Sequence, residues 1–146
     1  MQEKIVIASD HAGFQMKAYL VDLLRRGGHD VLDLGPADET PVDYPDQAAA
    51  LAHALRDGRA EKGILICGTG IGISIAANKV KGIRAAVCGD CFSAEATRLH
   101  NDANMLAMGA GILGENLALE ITDTFLETEF SGEERHQRRI NLIEKM

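Results

Sequence analysis

The chain has 146 residues, 46% hydrophobic, 25% charged and only 4% aromatic, with no Trp. That balance predicts one globular domain over 1–146 with a core of Ile, Leu, Val and Ala, and excludes a disordered or fibrous chain. A formal charge of −7 disfavours a general nucleic-acid binder. No stretch nears the ~18 unbroken apolar residues of a membrane span, and MQEKIVIASDHAG enters a strand pattern with no apolar signal region, so neither partner and a cytoplasmic address are expected.

Short apolar runs alternate with helical patterns along the chain. Lys4–Ser9 predicts a strand, and Phe14–Arg26 a helix with Phe14, Ala18, Val21 and Leu24 at helical spacing, closed by Gly27 and Gly28. Asp30–Leu34 follows as a strand, and residues 35–45 as a loop rich in Pro and Asp. Pro45–Asp57 predicts a helix with Pro at its start, and Gly63–Cys67 the third strand. Gly70–Lys79 predicts a helix, Ile83–Cys88 a strand, and Ser93–His100 a helix with Ser93 as its N-cap. Asn104–Met108 predicts the fifth strand, and Gly114–Glu129 a helix with Leu117, Ile121 and Phe125 on one side. A polar helix, Glu133–Glu144, ends the chain. It is suited either to packing on a partner subunit or to lying solvated. Five apolar strands alternating with helices predict a three-layer α/β/α domain on a parallel, Rossmann-like sheet.

In such a sheet, ligands bind beyond the C-terminal strand ends, where the strand order switches. Ser9-Asp10-His11-Ala12-Gly13 follows the first strand, and the loop with Asp43 and Tyr44 follows the second. Cys67-Gly68-Thr69-Gly70-Ile71-Gly72 follows the third. The glycines fit neither the dinucleotide fingerprint, since Ile73 stands where Gly or Ala is required, nor a Walker A loop. They serve either as a tight turn or as backbone amides converging on an anion. Cys67 is either an inert strand thiol or, beside such a cradle, a nucleophile or proton-abstracting base. Asp10 orients a hydroxyl or caps a helix, and His11 is better placed for function than His53 or His29. His100-Asn101-Asp102 precedes the fifth strand, at the edge away from the site, so a bent loop or a second subunit must deliver it. Arg135 and Arg139 share a helix face, fitted to a phosphate or to ion pairs with Glu133, Glu134 and Glu144. Cys88 and Cys91 form a lone C-x-x-C, a weak redox or metal signal with no second pair.

The motifs SDHAG at 9–13, VDYP at 42–45, GILICGTGIGISIAANK at 63–79, GIRAAVC at 82–88, HNDANML at 100–106 and RHQRR at 135–139 span nearly the whole chain. On these the sequence resembles the type B ribose-5-phosphate isomerases, a family that includes allose-6-phosphate and galactose-6-phosphate isomerases. The resemblance implies aldose–ketose isomerisation of a phosphorylated sugar, with no metal and no organic cofactor. It also implies a homodimer with active sites shared between subunits; whether dimers pair into tetramers stays open. Cys67 then corresponds to the base that moves a proton between C1 and C2, and Gly68, Thr69, Gly70, Ile71 and Gly72 to the enediolate cradle. Thr69 and His100 correspond to groups that help open the furanose ring. Asp10 and Asn101 hold sugar hydroxyls, Tyr44 joins the substrate-binding set, and His11, Arg135 and Arg139 bind phosphate. Gly111 departs from the family, which commonly has Arg there in its phosphate site. The substrate therefore stays open among tetrose, pentose and hexose phosphates. Outside the family remain a non-catalytic flavodoxin-like binding module, short of aromatic rings to stack a base, and a redox protein working through Cys88 and Cys91.

Overall fold

The computed structural model describes residues 3–146. Five strands, β1 (Lys4–Ser9), β2 (Asp30–Asp33), β3 (Lys62–Cys67), β4 (Ala85–Val87) and β5 (Met105–Gly109), form one sheet in the order β2-β1-β3-β5-β4. Every pairing is parallel. The helices are α1 (Phe14–Arg26), α2 (Tyr44–Arg56), α3 (Ile71–Ala77), α4 (Cys91–Asn101), α5 (Glu115–Glu127) and α6 (Glu134–Glu144).

Side chains alternate across each strand, so each central strand feeds two cores. Ile5, Ile7, Ile64, Ile66, Leu106 and Met108 face a layer made by α1, α4 and α5. Val6, Ala8, Leu65, Cys67, Met105 and Ala107 face α2 and α3. This two-sided burial explains the unbroken apolar runs in the sequence. Removing each such aliphatic side chain from water stabilises the fold by about 1.5–3 kcal/mol before entropy is counted. With β1 central, β2 on one side and β3 on the other, the strand order switches between β1 and β3. The ends of those two strands therefore open a crevice.

Four expectations are corrected. The buried face of α1 is Met16, Lys17, Leu20, Val21 and Leu24, whereas Ala18 is exposed and Phe14 half-buried. Lys17 can be buried there because its ammonium reaches the partly exposed Asp33 carboxylate at the end of β2. On α5 it is Ala118, Ile121, Thr122 and Phe125 that are buried, with Leu117 facing solvent. The N-cap of α4 is Asp90, whose carboxylate accepts the Ser93 N–H at 2.6 Å; Ser93 lies inside the helix. Finally, α3 is shorter than the 70–79 pattern: Asn78 caps it, then turns its amide to Ala85 of β4. The last helix, α6, lies on α4 of its own chain, where His136 stacks on His100 and Arg84 bonds Glu144 at 2.6 Å.

Candidate active site

At the switch point, Asp10 N–H donates to the Ile66 carbonyl at 3.1 Å, which ties the end of β1 to the end of β3. The Asp10 side chain is buried, and its Oδ1 accepts the Gly13 N–H at 3.0 Å. The alternative that Asp10 caps α1 is corrected: Gly13 is the N-cap, and Asp10 closes the turn before it with one carboxylate oxygen, while the other makes none of the hydrogen bonds seen. His11 is exposed, and its Nδ1 accepts the Val42 N–H at 3.2 Å. The imidazole proton therefore sits on Nε2 in this arrangement.

Cys67 ends β3 with only 5% of its surface exposed, facing the α2–α3 layer. The Gly70 N–H points at its sulfur, 3.1 Å away. That bond depends on Gly70 adopting φ +81°, a left-handed conformation in which a Cβ would lie 2.8 Å from the Met108 carbonyl carbon. The Ile71 N–H takes the Thr69 hydroxyl at 3.2 Å. Two of the loop amides thus serve the loop itself, which leaves those of Gly68, Thr69 and Gly72 as candidate donors to a ligand. Tyr44, at the start of α2, lays its ring against Gly72; a Cβ there would meet the ring at 2.8 Å. The turn after β5 closes on the same loop: Ala110 N–H bonds the Cys67 carbonyl at 2.8 Å and Gly111 N–H the Gly68 carbonyl at 2.9 Å. A Cβ at Gly111 would stand 3.0 Å from that Gly68 oxygen, so any larger residue requires the two turns to part slightly.

The structure does not bring the remaining predicted residues here. His100 and Asn101 end α4, just before Asn104, whose carbonyl accepts from Gly63 near the start of β3. They lie at the N-terminal edge of the sheet, roughly 16 Å of strand away from Cys67. Arg135 and Arg139 lie there too, since α6 packs against α4 through the His100–His136 stack, with ring centroids 4.6 Å apart. Arg135 bonds Glu133 at 3.1 Å, Arg138 pairs with Glu134 at 3.6 Å, and among the described residues no carboxylate pairs with Arg139. Asn101 Oδ1 accepts from the Thr97 hydroxyl at 3.0 Å. The site residues expected from the sequence thus fall into two groups, one at each edge of the sheet.

Sequence reasoning placed His136 within the basic RHQRR run but missed its burial. It is buried, and its Nδ1 lies 2.8 Å from the Ser131 hydroxyl. Burial, only partly offset by Glu133, pushes its imidazole below the usual histidine range, and His100, Arg135 and Arg139 push the same way. Its position four residues before the buried Ile140 was the available signal. Burial and Asp90 push the Cys88 thiol up to about 11, so this cysteine holds its proton and is a poor redox thiolate.

A family model described as Ribose/Galactose Isomerase matches residues 5–143. The chain belongs to that family. Ribose-5-phosphate isomerase B of Escherichia coli is 45% identical over 141 residues, covering 97% of this chain and 94% of that protein. The D-erythrulose-4-phosphate isomerase of Pectobacterium atrosepticum is 47% identical over 130 residues, covering 88% and 85%. Among solved structures of the ribose/galactose isomerase family, the ribose 5-phosphate isomerase of Thermotoga maritima superposes with a TM-score of 0.97. It shares 45% identity, and all of both chains is covered.

Proposed function

We infer that this chain is an aldose–ketose isomerase of a phosphorylated sugar, with ribose 5-phosphate and ribulose 5-phosphate as the default pair. The observation that carries this is the Cys67 sulfur at the switch point with the Gly70 N–H aimed at it, in a chain of the ribose/galactose isomerase family. The thiolate takes the proton from C2 of the open-chain aldose. The electron pair moves into a C1–C2 double bond, and negative charge collects on the carbonyl oxygen. The O2 hydroxyl proton passes to O1 and the carbon-bound proton returns to C1, which gives the ketose, so atoms and electrons balance without an oxidant. Free loop amides stabilise the enediolate oxygens, where one such donor typically lowers a barrier by ~2.7–4 kcal/mol.

His11 donates from Nε2 to the phosphate. Arg139 and Arg135, with His100 and Asn101, come to this crevice from the N-terminal edge of a second copy, which makes the working unit a homodimer. Exposed apolar side chains support a covering copy: Ile71 and Ile75 lie four apart on α3, and Phe92 is 80% exposed. The whole of 1–146 acts as one catalytic domain. Among the described residues no helix is long and apolar enough to cross a membrane. As a relative of metabolic enzymes, the chain is proposed to work in the cytoplasm.

Gly111 and the tetrose-phosphate relative favour one alternative substrate, a four-carbon ketose phosphate. Initial rates on ribose 5-phosphate, allose 6-phosphate and erythrulose 4-phosphate decide between them. The expected result is turnover of ribose 5-phosphate that Cys67→Ala lowers at least about 100-fold while the circular dichroism spectrum is unchanged. Full activity in that variant would remove the thiol from the mechanism, and no activity of the wild type on any of the three would remove the isomerase reading.

A further inference from the structure

Lys17 is among the largest buried side chains of the described residues, with 2% of its side chain exposed, and it lies outside every role described so far. Its ammonium bonds both carboxylate oxygens of Asp33 at 2.9 Å and sits 5.2 Å over the Phe14 ring. Asp33, the last residue of β2, also accepts the Gly35 N–H at 2.8 Å, and the Gly35 carbonyl accepts the Ser9 N–H at 3.1 Å. A line of hydrogen bonds, those at Asp33 charge-assisted and the last a backbone bond, therefore runs from α1 through the start of the 34–43 loop to the end of β1. The loop has no regular secondary structure of its own. Its middle is held where the Gln15 amide donates to Glu39 at 2.8 Å, and its end where the Val42 N–H donates to His11. The Gln15–Glu39 bond is exposed and weak, whereas in the Lys17–Asp33 pair the ammonium is buried and the carboxylate keeps 30% of its side-chain surface in water.

We propose that Lys17 is a positioning residue: through Asp33 it anchors the 34–43 loop, so that the Val42 amide holds His11 with its proton on Nε2 and its Nε2–H aimed at the anionic end of the substrate. An imidazole free of that amide populates both tautomers and turns about its side-chain bonds. Held by it, the ring offers one donor in one direction before substrate arrives. The cost of ordering is met in folding, which favours binding more than the chemical step. The proposal rests on the isomerase reading for its kinetic arm only.

Two variants test it, Lys17→Met, which keeps the chain length and removes the charge, and Val42→Pro, which removes the donor and leaves the ion pair alone. Long-range proton–nitrogen spectra of the substrate-free protein report the His11 tautomer. The wild type is expected to show Nδ1 unprotonated, and both variants a mixture. With the sugar phosphate that the wild type turns over, KM is expected to rise about tenfold and kcat to stay within about twofold. Lys17→Arg should recover part of the loss. A purely structural Lys17 would lower the melting temperature and leave tautomer and KM alone, which overturns the proposal. If Lys17→Met does not fold, an unchanged tautomer and KM in Val42→Pro overturns it equally. A wild type with a fixed tautomer and no isomerase activity would sink the isomerase reading while leaving the loop anchor standing.

Discussion

Gly68 and Gly70 are two residues apart, yet they do different things. Gly70 has φ +81° and its absent Cβ leaves room for the Met108 backbone, whereas a Cβ at Gly68 would meet nothing within 4 Å. Gly70→Ala combines left-handed strain of roughly 1–2 kcal/mol with a backbone clash. We expect its melting temperature to fall by at least about 5 °C, and that of Gly68→Ala to move by less than about 2 °C, on a thermal melt followed by circular dichroism. Equal shifts would mean that Gly70 is not held by Met108. The alternation of glycines was legible in the sequence as a turn or a cradle. Which glycine is obligatory was not, because the answer lies in a strand nearly forty residues on. Asp10, Cys67 and Tyr44 were legible by position after strands. The Val42–His11 bond was not, since it joins two loops by a backbone amide that every residue but proline has.

At the scale of elements, α6 shows what periodicity leaves out. Its apolar residues are few, and Leu142 and Ile143 remain exposed, so the pattern left a solvated helix and one packed on a partner subunit equally open. It docks instead through His136 and Ile140, which are buried against α4. The same gap hid Lys17 on α1: a buried charged residue breaks an apolar count, and only its partner Asp33 explains it. The His136 contact makes a pH prediction. Burial holds its folded-state pKa below the ordinary 6.5, so the unfolded chain binds the extra proton more readily just below that pH. Stability contributed by neutral His136 is full above 6.5 and is lost as pH falls toward the depressed folded value. Urea midpoints should therefore drop between pH 7.5 and pH 5.5. His136→Phe, which keeps a ring against His100, should show a shallower drop. Parallel slopes in the two proteins would show that α6 docking does not depend on this imidazole.

For the molecule as a whole, the parallel sheet and its alternation with helices were legible because both faces of each central strand are buried, which leaves continuous apolar runs in the sequence. The site was legible as a set of residue types but not as a place. Cys67, Asp10 and His11 gather at one edge of the sheet, while His100, Asn101, Arg135 and Arg139 gather at the other. On the reading proposed above, a complete site joins the C-terminal edge of one copy to the N-terminal edge of another. This has a consequence that a single-chain enzyme cannot imitate. Cys67→Ala and His100→Ala should each be inactive alone. In a two-fold dimer that exchanges subunits at random, half of the molecules become mixed dimers. Each mixed dimer carries one site with both lesions and one with neither. Equal mixing should then restore about a quarter of wild-type activity per subunit. Co-refolding the two variants from urea, followed by an initial-rate assay, measures it. A mixture that stays inactive, with mixed dimers present by mass spectrometry, would place both residues in the same chain's site and overturn the two-edge assembly.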